Sequence, residues 1–425
     1  MAKHDTPWYR LDNAGTMYSA LQKERYSAIY RFSAWMTEEV DPEALQRAVD
    51  RTMPRFPSFA VRMRRGLFWS YLEPNTAPGP FIKPDVADPC QPVRYKEDNG
   101  WLIRVYYYHH RISIEVFHAV SDGTGGLIFF RTLLAAYLEE LGHKIPPGPG
   151  LLDLNGAPRR EEREDAYLRY AGRTARAPVL MKRAYQNLGQ PEPFYTFHVT
   201  MGFMPVDKVK EKAKAMGVSI TEYMAAVLLQ ILLEKQHRER PHKEQPVALA
   251  VPVDLRGLFP SETLRNFILT VQPVIDPNLG EWTLDEIAAQ VHHYMRQHVT
   301  AKELRAIFTR NVRYQTHPAL RCLPFFLKDP VVAQSYRSRG VRPYSAVFTN
   351  PGLFKVPPEM APHIQHMEVV LGQATVARPH VSSISYGNTM EITFAGTQKD
   401  AETERDFFRA LIRLGIPVKV VSNRR

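Results

Sequence analysis

The chain has 425 residues, 44% of them hydrophobic and 11% aromatic, which is globular composition on a length too great for one ordinary core, so two domains of roughly 200 residues are expected. A formal net charge of +11 favours anionic partners, but the basic residues are scattered and form no basic/aromatic module, which argues against nucleic acid. Two cysteines, Cys90 and Cys322, stand far apart outside any Cys-x-x-Cys, and neither a secretory leader nor a run of about eighteen apolar residues occurs; a cytoplasmic protein with reduced thiols and no transmembrane span is expected.

In chain order, "DPEALQRAVDRTMPRFP" opens as a helix, with Asp41 as N-cap, Pro42 in the first turn and Leu45 and Val49 on one face. "SFAVRMRRGLFWSYLEP" alternates as a strand pair around Gly66, and "WLIRVYYYHHRISIEVFH" reads as a hairpin. In its second strand Ile112, Ile114, Val116 and His118 share one parity, while Arg111, Ser113, Glu115 and Phe117 take the other. That predicts one buried face, with His118 the last residue on it. Three glycines follow at 123, 125 and 126, and then Leu127, Phe130, Leu134, Tyr137 and Leu138 fall at helical spacing.

The stretch from about 142 to 193, rich in proline, glycine and paired charges, reads as a surface crossover. It divides the chain into an N-terminal lobe, about 1–190, and a C-terminal lobe, about 191–425. Beyond it, "FYTFHVTMGFM" is strand-like, and "PVDKVKEKAKAMG" and "SITEYMAAVLLQILLEKQ" are helical, the second with a Ser219/Glu222 capping box. "QPVALAVPVDLR" and "NFILTVQPVI" read as strands and "TLDEIAAQVHHYMRQHV" as a helix. "YSAVFTNPG", "IQHMEVVLG" and "HVSSISYGNTMEITFAG" add strands before a closing helix in "AETERDFFRALIRLGI". The fold class is therefore α/β (α+β), each lobe a mixed sheet flanked by helices.

The chemistry concentrates in "FHAVSDGTGG", residues 117–126. An imidazole at a strand end can be held rigidly at the lip of a cleft, and glycines let a ligand approach the backbone closely. Asp122, four residues on, either fixes the loop or orients the ring. A neutral imidazole so held is suited to take a proton from a hydroxyl or amine near pH 7. The other histidines read as bystanders. His109 and His110 sit at a hairpin turn, and His292, His293 and His298 do not form an i, i+4 metal pair. No His-Glu-x-x-His, Walker or Gly-x-Ser-x-Gly motif occurs, so no metal site, nucleotide fold or serine hydrolase is expected.

"HAVSDG" resembles the His-x-x-x-Asp-Gly signature of the chloramphenicol acetyltransferase-like acyltransferases, a superfamily that includes condensation domains of nonribosomal peptide synthetases and alcohol acetyltransferases. The resemblance extends along nearly the whole chain. "VDPEALQRAVDRTMPRFPSF" is similar to the first helix of the family, "GVSITEYMAAVLLQIL" to the first helix of its second lobe, "VPVDLRGLFPSETLRNF" to its Pro-Val-Asx-Leu-Arg strand, and "AVFTNPG" to a late Ser/Thr-Asn-x-Gly strand. Phe117 stands where condensation domains usually carry a second histidine, and the Asp-Phe-Gly-Trp-Gly motif of the plant enzymes is missing.

The resemblance implies two lobes with the active site in a tunnel between them. His118 would be the general base, Asp122 a structural or orienting residue and Gly123 part of the motif turn. Arg256, or alternatively Arg31, would pair with Asp122, and Thr349 and Asn350 would be candidates for the oxyanion or tunnel. It implies no bound cofactor, acyl-CoA as co-substrate or an acyl-carrier protein as donor, an alcohol or amine acceptor, and a possible peripheral membrane contact. The alternatives are a free-standing condensation-like enzyme using carrier-bound acyl groups and a non-catalytic binding member of the fold.

Overall fold

Three sheets carry the strands of the protein, seen here in a computed structural model that describes all residues except 1–7, 22–26, 95–96, 174–182, 188, 193–195, 242–243, 325–326, 328–333, 335–341, 373–379 and 425. The first has five strands in the order Ile364–Leu371, Ile29–Met36, Arg111–Phe117, Ile103–Tyr108 and Ile82–Pro84. The second runs Ile268–Val271, Val247–Asp254, Ala346–Thr349, His380–Tyr386, Thr389–Gly396, His198–Pro205 and Lys419–Ser422, with Val274–Ile275 also on Val247–Asp254. Ala346–Thr349 pairs in parallel with both neighbours inside this otherwise antiparallel sheet. A small sheet of Tyr9–Arg10, Ser70–Pro74 and Val61–Arg65 stands apart. Mixed sheets with helices packed on them are the expected α/β architecture.

The helices expected from capping and periodicity form, and Asn13–Leu21 and Ala301–Thr316 are helices that the sequence reading did not include. Pro42–Thr52 starts at Asp41, whose Oδ1 accepts from Ala44 N at 3.0 Å. Ile220–Glu239 opens on the Ser219/Glu222 capping box. One apolar core joins the first sheet to the Pro42–Thr52 and Gly123–Glu140 helices, and a second surrounds Ile220–Glu239.

Three features differ from the sequence reading. The Arg111–Phe117 strand is buried on both faces, with Ser113, Glu115 and Phe117 at 0%, 1% and 0% exposure. The strand is central in its sheet, and its polar face is covered by a charge network: Arg31 and Arg104 both donate to Glu115, at 3.2 and 3.1 Å, and Cys90 N donates to it at 2.6 Å. Charge compensation therefore buries a face that alternation assigns to solvent. The 142–193 crossover is also more than surface, since Glu162 accepts a two-pronged hydrogen bond from buried Arg55 at 2.6 and 2.7 Å, and Tyr167 and Tyr185 are buried. Finally, Ile364–Leu371 leaves the second half of the chain to pair antiparallel with Ile29–Met36 at the edge of the first sheet.

Candidate functional site

His118 is the first residue beyond the Arg111–Phe117 strand, and its N–H donates to Ala28 O at 2.8 Å, so the neighbouring strand end fixes its main chain. The ring lies between two tyrosines. Tyr18, on the Asn13–Leu21 helix, stacks on it at 4.1 Å between centroids and 21° between planes, and Tyr30 meets it edge-on at 5.2 Å. The residue as a whole is partly buried. Burial pushes its pKa below the ordinary 6.5, against the opposing pull of the Asp122 charge, so the ring is neutral near pH 7.

Asp122 points elsewhere. It is fully buried and caps the Gly123–Glu140 helix, its Oδ1 accepting from Gly125 N at 3.1 Å. Arg256 donates to both carboxylate oxygens, at 2.9 and 3.2 Å, and Phe267 N donates to Oδ2 at 2.7 Å. Arg256 donates further to Asp254 Oδ1, Thr263 O and Arg265 O. Burial disfavours the Arg256 charge, but Asp122 and Asp254 outweigh it and hold the guanidinium above its ordinary pKa. The structure thus brings Arg256 to Asp122. Arg31 lies instead with Asp85 and Glu115. Asp122 makes no hydrogen bond to His118 among the described residues; it ties the motif turn to the 254–267 segment of the second half of the chain.

The glycines matter by proximity. A Cβ on Gly125 would lie 2.1 Å from Leu264 O, and one on Gly126 2.5 Å from the Tyr30 hydroxyl. Both contacts pull neighbouring chain against the turn. Gly123 begins the helix, and a Cβ there would meet nothing nearer than Phe32 Cζ at 3.9 Å, so the turn does not demand glycine at that position.

Asn266 and Asp12 complete the surroundings of the imidazole; the sequence reading noted Asn266 only as part of the Asn-Phe that follows the Pro-Val-Asx-Leu-Arg strand, with no role in the site, and did not single out Asp12. Asn266 Oδ1 is 3.0 Å from His118 Nδ1, and its Nδ2 donates to His118 O at 2.9 Å and to both oxygens of Asp12 at 3.3 Å. Asp12 is fully buried and also accepts from Gly15 N at 2.7 Å. Burial pushes its pKa up to about 6, against the Arg265 guanidinium 3.6 Å away. The signal for Asn266 was its place in the "LRNF" stretch that follows Arg256, but its partner is 148 positions away.

Thr349 and Asn350 do not join this cluster. Asn350 closes the end of the Ala346–Thr349 strand, its Nδ2 donating to Thr221 Oγ1 at 3.1 Å and its Oδ1 accepting from Gly352 N at 2.9 Å, and among the described residues neither residue hydrogen-bonds to His118. No group of histidines, cysteines and carboxylates that could hold a metal occurs among the described residues. A pocket lined by Phe81 and Trp101 and another lined by His198 and Glu404 do not include His118.

No family model and no curated protein matches the chain in sequence. Solved structures match it along almost its whole length. It is similar to polyketide synthase associated protein 5 from Mycobacterium tuberculosis, with 16% identity, TM-score 0.62, and 95% of this chain and 96% of that one covered. It is similar to the TRI3 trichothecene 15-O-acetyltransferase from Fusarium sporotrichioides, with 12% identity, TM-score 0.61, and 95% and 94% covered. The starter condensation domain of rhizomide synthetase, solved with C8-CoA and Leu-SNAC, gives 13% identity, TM-score 0.59, and 96% and 93% covered. The chain has the mixed α/β fold of these acetyltransferase and condensation-domain structures.

Proposed function

We propose that the protein is an acyltransferase in which His118 is the general base. It draws the proton from an acceptor hydroxyl or amine as that group attacks an acyl thioester; the acyl–sulfur bond breaks, the thiol leaves with a proton, and the ester or amide forms. The observation that carries this reading is a partly buried imidazole locked at a strand end beside the seam where the 254–267 segment meets the motif turn, in a setting where burial lowers its pKa. A neutral imidazole needs no prior proton loss to act as base near pH 7. Base, donor and acceptor can meet in one ternary complex, so proximity supplies much of the rate and no covalent acyl-enzyme is required.

Acyl-CoA is the proposed donor. Its long, thin pantetheine arm suits a channel between lobes, and the net charge of +11 suits its phosphates. The complex of one structural neighbour with C8-CoA supports this choice, and a neighbour that is a 15-O-acetyltransferase supports an alcohol acceptor. The test is thiol release from acyl-CoA in the presence of alcohols and amines, with products identified by mass spectrometry. His118→Ala should fold normally and lose about 10²–10⁴-fold in turnover, the usual worth of a general base. Full activity in that variant would end the proposal. Turnover that ignores acyl-CoA and requires an acylated carrier protein would instead select the condensation-like alternative.

A further inference from the structure

We infer that Asn266, anchored by Asp12, is a positioning residue that selects the His118 tautomer, with the proton on Nδ1 and the lone pair on Nε2. The argument begins with the amide rather than the ring. An asparagine carboxamide has one accepting end and one donating end, and density of atoms alone does not say which is which. Here the surroundings decide it. One end faces the main-chain carbonyl of His118 at 2.9 Å, a group that can only accept. The same end faces both carboxylate oxygens of Asp12 at 3.3 Å. The NH2 must therefore occupy that end, and even a protonated Asp12 leaves the carbonyl of His118 needing a donor. Asn266 then presents its oxygen to His118 Nδ1 at 3.0 Å. An oxygen there is satisfied only if Nδ1 carries the hydrogen, and a neutral imidazole has one hydrogen to place.

Asp12 is itself fixed. Its Oδ1 accepts from Gly15 N at 2.7 Å at the start of the Asn13–Leu21 helix, the helix whose Tyr18 covers one face of the imidazole. The same short segment thus sets both the plane of the ring, through Tyr18, and its protonation pattern, through Asp12 and Asn266. Asp122 takes no part, because its oxygens are occupied by Arg256, Gly125 and Phe267. The main-chain carbonyl of His118 also faces its own Nδ1 and, with two lone pairs, can accept from it as well as from the Asn266 amide, so it favours the same tautomer and the variants below separate the two. Work is divided in this way: Asp122 shapes the turn, and Asn266 prepares the base.

The consequence for turnover rests on the general-base reading above, but the tautomer can be read without any reaction. Histidine-selective 15N labelling and long-range 1H–15N correlation at pH 7.5 distinguish a protonated ring nitrogen from a lone-pair one, and subtraction of the His118→Asn spectrum assigns the signal. The expected spectrum shows His118 with Nδ1 protonated and Nε2 bare. In Asn266→Leu that pattern should become mixed. In Asp12→Asn, where an NH2 must face the Asn266 NH2 once Oδ1 is kept for Gly15, it should shift the same way in an isosteric and better-tolerated variant. Both variants should lose at least tenfold in kcat with KM unchanged, up to the ~10²–10⁴-fold that loss of the base itself would bring. A bare Nδ1 in the unaltered protein would overturn the inference. An unchanged His118 spectrum in folded Asn266→Leu and Asp12→Asn would assign the tautomer to the main-chain carbonyl and overturn it as well. The predicted spectra in a protein with no thioester activity would keep the inference and remove the function proposed above.

Discussion

Replacing Asp122 with asparagine separates a scaffolding role from a proton-transfer role. Four N–H donors converge on its carboxylate: Gly125 N and Arg256 Nη2 on Oδ1, and Phe267 N and Arg256 Nη1 on Oδ2. A carboxamide offers one accepting oxygen, so in either orientation its NH2 faces one backbone N–H and one arginine N–H. Arg256 keeps Asp254 Oδ1, Thr263 O and Arg265 O, which cushions its share of the loss. The orphaned backbone donor is not cushioned. At ~1–3 kcal/mol for a buried group left unpaired, plus the weakened charge pairing, Asp122→Asn should lower the unfolding free energy by about 2–4 kcal/mol.

The effect on chemistry should be small and of definite sign. The Asp122 charge raises the His118 pKa, so removing it lets that pKa fall further. The acid limb of kcat/KM then moves to lower pH, and turnover at pH 7.5 stays within about tenfold. Urea unfolding and a pH–rate profile measured together test both halves. An asparagine variant as stable as the parent, or one that loses as much turnover as His118→Ala, would refute the assignment.

In the unaltered protein, kcat/KM for thioester consumption should be flat near pH 7 and fall on acidification through a pKa below 6.5, because burial lowers the His118 value and protonation removes the base; a midpoint above 6.5 would contradict the burial argument. Gly125→Ala forces a Cβ to 2.1 Å from the Leu264 carbonyl and should cost at least ~1–3 kcal/mol in chemical unfolding, whereas Gly123→Ala should stay within about 0.5 kcal/mol. Arg55→Met strands Glu162 in a buried position with Arg159 as its remaining guanidinium partner, and should cost about 2–4 kcal/mol by the same measurement.

The elements were legible in the sequence wherever the signal is local. Asp41 and Ser219 announce helix starts by chemistry within three residues, and the hairpin into His118 announces itself by its turn and alternation. The Asp122–Arg256 pairing was within reach because both residues belong to stretches that resemble known ones, although Arg31 fitted the same criterion and lies elsewhere. What stayed hidden depends on tertiary context. Alternation cannot reveal that Glu115 is buried, because Arg31 and Arg104, on two other strands, are what make burial tolerable. Nor can it reveal that Tyr18, in a short helix with no motif, comes to rest on an imidazole some hundred residues away, or that Asp12 just before that helix reaches the same ring through Asn266. Asn266 was in view as a letter and invisible as a contact.

The placement of Ile364–Leu371 beside Ile29–Met36 bears on how the chain is made. During synthesis, Ile29–Met36 can pair with Arg111–Phe117 as soon as that hairpin emerges, but its other edge has no partner until a segment about 250 residues further on leaves the ribosome. At ~5–20 residues per second that is a delay of some ten to fifty seconds, during which an eight-residue strand presents open backbone donors and acceptors. The one charge on this strand, Arg31, buried in the finished fold, makes that waiting edge a poor template for aggregation. The N-terminal half therefore completes its sheet only after the rest is made, and a split of the gene near residue 190 should yield a first fragment that reaches its native sheet only when the second is co-expressed with it.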